Sequence, residues 1–178
     1  MMQDIKDVFY SQQQLQDKVN ALGKQISEDY KDKNLMLVSV LKGSVVFMAD
    51  LMRAITVPCE IDFMAVSSYG NNTNSSGTVK IIKDLDRDIA GYDLLIVEDI
   101  LDSGKTLSYI KEILLARKPN SIRICTLLDK PDRRNSDIYA DYSGFEVPNE
   151  FVVGYGLDFA QKYRNLPFIG VLKEEVYQ

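Results

Sequence analysis

The chain has 178 residues, 46% of them hydrophobic, a net charge of −5 and no histidine. This length and apolar content suffice for a sizeable core, and no linker rich in Pro, Gly, Ser or like charges divides the chain, so we expect one domain over residues 1–178. Dispersed basic residues on an acidic chain argue against nucleic acid or an anionic membrane as a partner. Without histidine, Ser-His-Asp and Cys-His catalysis, HExxH zinc sites and histidine pH switches are excluded.

The first residues, MMQDIKDVF, are acidic and lack the apolar core of a signal peptide. No apolar run approaches the roughly 20 residues of a membrane-spanning helix. The two cysteines, Cys59 and Cys125, are far apart in apolar or strand-like surroundings, which predicts buried, inert thiols. We therefore expect a cytoplasmic protein without a disulfide framework.

An amphipathic helix is predicted near the start of the chain. Leu15, Val19, Leu22 and Ile26 recur at helical spacing, and Ser11 precedes them as a suitable N-cap. We expect this helix to cover one edge of a core.

Predicted strands and helices then alternate along the chain. The strands are 35–41, 60–67, 79–82, 93–97 and 121–129, and the helices are 45–55 and 106–117. This alternation predicts an α/β fold, a mainly parallel central sheet flanked by helices, with ligands beyond the carboxyl ends of the strands. Polar residues end four segments there: Lys42-Gly43, Glu98-Asp99, Lys130 and Asp158.

Residues 70–77, GNNTNSSG, contain no apolar side chain and cannot contribute to a core. They fit either a plain hairpin loop or an active-site lid. The preceding Ser68 and Tyr69 favour the lid, which we expect to be mobile without ligand and to close over the site.

Residues 97–107, VEDILDSGKTL, look like half of a phosphate-binding P-loop. The second glycine of that motif is missing, because its position holds Asp99. Between a strand and a helix, the turn 102–106 would still expose backbone N–H groups at a helix N-terminus, where one phosphate can bind.

Glu98 and Asp99 would repel a polyphosphate at this place. They suit two ribose hydroxyls, or a magnesium ion that carries a second phosphate group. The implied ligand is a sugar phosphate with a magnesium-bound diphosphate. A plainer interpretation makes Asp102 or Ser103 the N-cap of the helix, and Glu98-Asp99 a solvated strand end.

The turn resembles the 5-phosphoribosyl-1-diphosphate signature of type I phosphoribosyltransferases. Four further motifs resemble the hypoxanthine-guanine phosphoribosyltransferase family, in the family's order: LKGS (41–44), SSYG (67–70), LLDKPDRR (127–134) and FVVGYGLDFAQKYRNLP (151–167). The resemblance covers nearly the whole chain. It implies the type I phosphoribosyltransferase fold with a small hood over the site, a homodimer or homotetramer, and transfer of a phosphoribosyl group to a 6-oxopurine for salvage.

The resemblance also implies roles for the acidic turn. Asp102 is similar in position to the family's general base, which takes the proton from N7 of the purine. Glu98 and Asp99 resemble the acids that hold ribose and magnesium. The residues resembling the 5′-phosphate site are Ser103, Gly104, Lys105 and Thr106.

The remaining motifs imply the rest of the site. Lys42 with Gly43, and Arg164, are assigned to the diphosphate, and Asp158 to magnesium; the peptide bond before that lysine is often cis in the family. For the base, the resemblance implies stacking on Phe151. The other substrate-binding residues are Lys130, which meets the exocyclic oxygen, Val152, Ser68 and Tyr69.

Two interpretations of another class stay open. One is a regulator that keeps the fold and its ligand turn but binds RNA or DNA, which would need a basic face. The other is a P-loop-like nucleotide-binding module, which Asp99 weakens.

Overall fold

In the computed structural model, which describes residues 1–68 and 79–177, the described residues form nine β-strands and three α-helices. The helices are α1 (Gln12–Asp29), α2 (Val45–Ala54) and α3 (Lys105–Ala116). The strands are β1 (Ile5–Tyr10), β2 (Leu35–Leu41), β3 (Cys59–Ser68), β4 (Val79–Lys83), β5 (Asp93–Leu101), β6 (Ser121–Asp129), β7 (Tyr142–Glu146), β8 (Val152–Val153) and β9 (Ile169–Leu172).

The larger sheet has six strands in the order β4-β3-β2-β5-β6-β7. All neighbours are parallel except β4, which pairs antiparallel with β3 at one edge. The chain leaves β2 for a neighbour on one side and leaves β5 for a neighbour on the other, so the strand order reverses between them. In open α/β sheets the ligand crevice lies at such a point, beyond the carboxyl ends of the strands. The predicted mainly parallel α/β fold is confirmed.

Strand β2 shows why the larger sheet is covered on both faces. Leu35 and Leu37 pack with α1 and α2, whereas Met36 and Val38 pack with α3 on the opposite face. Successive side chains of a strand point to opposite faces, so a strand covered on both faces needs an unbroken apolar run. The run LMLVSVL meets this requirement.

A second, three-stranded sheet has the order β1-β9-β8, with both pairs antiparallel. It forms the hood of the fold, and we refer to it as the hood sheet. None of its strands was among the predicted elements, nor was β7 of the larger sheet. For β8, with two residues, and β9, with four, the strand is too short for a pattern to stand out.

Two element boundaries differ from the sequence prediction in a way that affects the site. Strand β5 continues to Leu101 rather than ending at Val97, because its last residues pair with β6. Glu98 and Asp99 are therefore part of a strand and do not follow one. Helix α3 begins at Lys105, one residue earlier than predicted.

The thiols differ in environment. Cys125 is buried as predicted, and burial raises the pKa of its thiol. Cys59, the first residue of β3, is only half-buried. The prediction that its thiol is buried was therefore wrong.

The polar stretch 70–77 and Tyr69 lie outside the described residues, and the closing motion stays a prediction. Across 1–68 and 79–177, none of the helices combines the length and apolar character needed to cross a membrane.

Helix α1 begins as predicted at Ser11. The Gln14 backbone N–H donates to Ser11 Oγ at 3.3 Å, and the Ser11 N–H donates to Gln14 Oε1 at 2.9 Å. This reciprocal capping box satisfies two donors that would otherwise lack partners at the helix start.

We expect Ser11→Ala to lower the free energy of unfolding by about 1 kcal/mol, because the alanine cannot accept the Gln14 N–H bond. Urea denaturation monitored by circular dichroism measures this difference. Ser11→Asp, which keeps an acceptor at the N-cap, is the matched control and should remain close to the parent chain. An alanine variant with an unchanged midpoint would contradict the capping role.

Candidate active site

A cavity of about 260 Å³ opens where β2 and β5 end, at the point where strand order reverses. Three segments meet around it: the end of β2, the last residues of β5 and the turn that leads into α3. The lining residues are Val40, Leu41, Gly43, Glu98, Asp99, Ile100, Leu101, Asp102, Ser103, Gly104, Thr106 and Leu107. We refer to it as the turn cavity.

Gly104 shapes the turn. It is the N-cap of α3 with φ of +80°, in the left-handed region, and a Cβ there would lie 2.5 Å from Ile138 Cγ2. No side chain caps the helix, and Ser103 Oγ is a distant 3.5 Å from the Lys105 N. The plainer interpretation, with Asp102 or Ser103 as N-cap, is therefore wrong. An uncapped helix start beside a cavity suits an anion.

Arg134 holds this turn from behind. Its Nε donates to the Asp102 carbonyl oxygen at 2.9 Å, its Nη1 to that of Ile138 at 2.7 Å and its Nη2 to that of Leu101 at 3.3 Å. It also pairs with the Asp129 carboxylate. Sequence reasoning did not assign Arg134 a role, although the Arg pair in LLDKPDRR was a signal.

The Asp102 carboxylate lies between two cavities. Asp102 and Ile100 line both the turn cavity and a second cavity of about 350 Å³. Arg133 Nε donates to Asp102 Oδ1 at 3.0 Å from the second cavity's side. A group at Asp102 can therefore contact ligands in both spaces.

The second cavity, which we call the ring cavity, combines one buried cation with apolar walls. Its lining residues are Ile100, Asp102, Lys130, Arg133, Asn149, Glu150, Phe151, Val152, Leu157 and Tyr177. Lys130 is buried, and its Nζ donates to the Glu150 carbonyl oxygen at 2.7 Å. Burial lowers the pKa of Lys130, while the nearby Asp102 carboxylate opposes this shift. Six of the lining residues were not among the predicted site residues: Ile100, Arg133, Asn149, Glu150, Leu157 and Tyr177.

Phe151 presents part of its ring to this cavity. Its side chain is 37% exposed, unusually open for a large aromatic residue. It packs against Phe159 and Tyr177, while the adjacent Val152 is buried in β8.

The loop between β2 and α2 approaches the turn cavity closely. The peptide bond Leu41–Lys42 is cis, which the sequence had left open. A Cβ at Gly43 would collide with Asp99 Oδ2, and one at Gly156 would collide with the Gly43 carbonyl oxygen. Lys42 beside them is exposed. The glycines let three backbone segments converge at one place.

The two acids of β5 are electrostatically unfavourable without a cation. The pKa of Asp99 is raised to about 6, mainly by burial and to a smaller extent by the charge of Asp158, whereas the Ile100 N–H at 2.8 Å and Arg164 oppose the shift. Burial, and then the charge of Asp99, raise the pKa of Glu98 well above its ordinary value. A cation bound between them would offset both effects.

Asp158 and Arg164 form an ion pair at 2.8 Å beside this cavity. Arg164 Nη1 also donates to the Gly156 carbonyl oxygen at 2.7 Å. Within 1–68 and 79–177, no three Cys, Asp or Glu side chains cluster closely enough to hold a metal alone. The adjacent carboxylates nevertheless fit a hard cation whose other ligands are water and substrate oxygens.

The structure therefore brings most predicted site residues to one region, but not all of them line a cavity. Lys42 and Lys105 are exposed and do not line the turn cavity, whereas their neighbours Leu41, Gly43, Gly104 and Thr106 do. Ser68 ends β3.

Comparison with known proteins agrees with this geometry. Residues 7–160 match the family model described as Phosphoribosyl transferase domain. Hypoxanthine-guanine phosphoribosyltransferase of Bacillus subtilis (strain 168) is 57% identical over all of this chain and 99% of its own length. A solved hypoxanthine phosphoribosyltransferase from Staphylococcus aureus superposes with a TM-score of 0.97 at 52% identity, covering 100% of this chain and 97% of that one.

Another group of relatives is longer. The bifunctional protein TilS/HprT of Listeria monocytogenes (serotype 4b, strain F2365) is 54% identical over 99% of this chain, which spans only 27% of that relative's length. The chain belongs to the phosphoribosyltransferases and, among them, to the hypoxanthine-guanine phosphoribosyltransferase family.

The raised pKa of Asp99 gives a pH-dependent prediction. Ionised Asp99 destabilises the fold above about pH 6, and this effect is absent below its ordinary pKa of 3.8. In chelator, we expect Asp99→Asn to raise the midpoint of thermal unfolding at about pH 8 by roughly 2–4 °C, since partial exposure screens the charge. The difference should shrink as the pH falls through about 6 toward 4.

Asp137→Asn, at an exposed carboxylate outside both cavities, is the control and should show little pH-dependent difference. A stabilisation by Asp99→Asn that grows as the pH falls would contradict the assigned sign.

Proposed function

We propose that this chain transfers the 5-phosphoribosyl group of 5-phosphoribosyl-1-diphosphate to hypoxanthine or guanine, releasing diphosphate and giving a purine nucleotide for salvage. One observation carries the proposal: Asp102 lies between a cavity built on an uncapped helix start and a cavity with a buried lysine and an open aromatic ring. A transferase that joins a sugar phosphate to a base needs these two spaces with a proton acceptor between them.

The turn cavity would hold the phosphoribosyl group. Backbone N–H groups of residues 103–106 would bind the 5′-phosphate, aided by the positive end of the α3 dipole. Glu98 and Asp99, which line the same cavity, would accept hydrogen bonds from the ribose hydroxyls. Arg134 supports this arrangement because it holds the carbonyl groups of the turn in place.

The diphosphate requires positive charge. We infer that Mg²⁺ binds through Glu98, Asp99 and Asp158, whose oxygen ligands and electrostatic repulsion suit a hard cation. Bound Mg²⁺ would neutralise the leaving diphosphate. Lys42 and Arg164, on loops beside the cavity, would supply the remaining cationic contacts.

The ring cavity would hold the base. The plane of the base would stack on the exposed part of the Phe151 ring, with Val152 beside the base. Lys130 has three donors and no acceptor, so it suits the 6-oxo group of hypoxanthine or guanine and opposes the 6-amino group of adenine. Its fixed bond to the Glu150 carbonyl oxygen would orient the ammonium group.

Asp102 would accept the proton from N7 as the base attacks the ribose carbon. The carbon passes through an oxocarbenium-like state, which the neighbouring acids stabilise electrostatically. An acid near a phosphate turn opposes phosphate binding, and a proton-accepting role explains its presence there.

We further infer that residues 1–178 form one domain, that the protein acts in the cytoplasm, and that it assembles as a homodimer or homotetramer. Light scattering coupled to size-exclusion chromatography measures the assembly. Nucleic-acid regulation is not favoured, because Arg87, Arg117, Arg123 and Arg134 each pair with a carboxylate. Gel-shift titrations over a salt series address this alternative.

Because Lys130 can only donate, we expect kcat/KM for hypoxanthine to exceed that for adenine by roughly 10²-fold or more. A steady-state assay of hypoxanthine, guanine, xanthine and adenine with the ribose diphosphate donor and Mg²⁺ measures this. Lys130→Met should narrow the difference in kcat/KM between hypoxanthine and adenine. Equal kcat/KM for adenine and hypoxanthine would rule out the proposed selectivity for 6-oxopurines.

We expect Asp102→Asn to lower kcat by roughly 10²- to 10⁴-fold, because asparagine cannot take the N7 proton. Folding and donor binding should persist, since the Asp102 carbonyl bond to Arg134 does not depend on the side chain. The matched comparison is the double variant Glu98→Gln/Asp99→Asn. It should mainly raise the KM for the donor and the Mg²⁺ concentration needed for activity. Near-normal turnover by Asp102→Asn would place the base elsewhere in the site.

A further inference from the structure

Tyr177 lies at the wall of the ring cavity, far in sequence from the phosphate turn. Its ring stacks on that of Phe151, with centroids 4.9 Å apart and planes 21° from parallel. Phe159 meets Phe151 at 5.6 Å and 89°, an edge-to-face contact. Both Phe151 and Tyr177 line the cavity, whereas Phe159 does not.

Main-chain hydrogen bonds set the position of Tyr177. The Leu172 N–H donates to the carbonyl oxygen of Phe151 itself at 2.9 Å, and the Lys173 N–H donates to that of Asp4 at 3.0 Å. A 3₁₀ turn, Glu174–Val176, follows, and the Tyr177 N–H closes it at 3.1 Å on the Glu174 carbonyl oxygen. The segment is therefore docked on the hood sheet at the residue whose ring it contacts.

This docking restricts the Phe151 ring. Tyr177 stacks on one face of the ring, and the contact with Phe159 limits its rotation, so a planar ligand in the cavity would stack on the face that Tyr177 does not cover. Offset stacking between aromatic rings is favourable beyond the burial of area, and a fixed ring loses less freedom when a ligand binds.

We propose that Tyr177 is a positioning residue for the purine, acting through Phe151, so that the bound base, Phe151 and Tyr177 form a three-layer stack. The inference rests on the proposed function of the ring cavity. The ring of Tyr177 carries the effect and its hydroxyl is dispensable. Tyr177 lies away from the turn cavity, so its influence falls on the base and not on the ribose diphosphate donor.

Steady-state kinetics of Tyr177→Ala, Tyr177→Leu and Tyr177→Phe test this. We expect Tyr177→Ala and Tyr177→Leu to raise the KM for hypoxanthine by about three- to tenfold, with kcat and the KM for donor within about twofold of the parent chain. Tyr177→Phe should restore the parent KM. Tyr139→Ala, at a tyrosine 70% exposed and outside both cavities, is the matched control.

Each outcome separates the two proposals. If the parent chain transfers the phosphoribosyl group but Tyr177→Ala leaves the KM for hypoxanthine unchanged, the inference fails and the proposed function stands. A lower KM for hypoxanthine in Tyr177→Ala would show that the tyrosine occupies the place of the base. This result would also overturn the inference. Parallel changes in kcat and both KM values, with a lowered unfolding midpoint, would reveal a merely structural role. A parent chain without phosphoribosyl transfer overturns both proposals.

Discussion

The close approach of Gly43 to Asp99 is the contact on which the site depends. Parallel pairing of β2 with β5 brings the loop after β2 beside the acids of β5, and a side chain at Gly43 would collide with the Asp99 carboxylate. Gly156 adds a second constraint, because a Cβ at this position would collide with the Gly43 carbonyl oxygen. Arg164 then donates to the Gly156 carbonyl oxygen, so the loop that carries Asp158 is held at the same point. A larger residue at either glycine would separate segments that must meet for the cavity to exist.

The electrostatics of the site follow from this crowding. Two acids with raised pKa values face a turn whose backbone donors suit an anion, and Arg164 and Asp158 both act on the charge of Asp99. Such a site favours a ligand that brings anionic and cationic groups together, as a magnesium-bound sugar diphosphate does. Under the proposed function, it also explains how an acidic chain would bind an anionic substrate: the attraction would come from local donors and a cation, and not from net charge.

The ring cavity joins the two sheets. Lys130 follows β6 of the larger sheet, whereas Phe151 precedes β8 of the hood sheet, Val152 begins it, and Tyr177 follows β9. Asp102 belongs to neither wall alone, because it begins the turn after β5 and pairs with Arg133 from beyond β6. The relative position of the two sheets therefore sets the distance between the ring cavity and the turn cavity.

The sequence by itself determined the elements whose signals are local. The spacing of Leu15, Val19, Leu22 and Ile26 with Ser11 predicted α1 and its cap, and the run LMLVSVL predicted a buried strand, because periodicity and capping depend on neighbours in the chain. The motifs around Glu98, Asp99 and Asp102 indicated a phosphate turn with acids for the same reason.

Tertiary structure decided what depends on contacts between distant segments. Pairing with β6 extended β5 beyond Val97, and the short strands of the hood sheet exist because they pair with one another. Arg134 reaches the Asp102 carbonyl group across more than thirty positions, and Tyr177 reaches Phe151 through backbone bonds to the hood. No local pattern encodes such contacts, because they depend on where the fold places two segments and not on the residues next to either one.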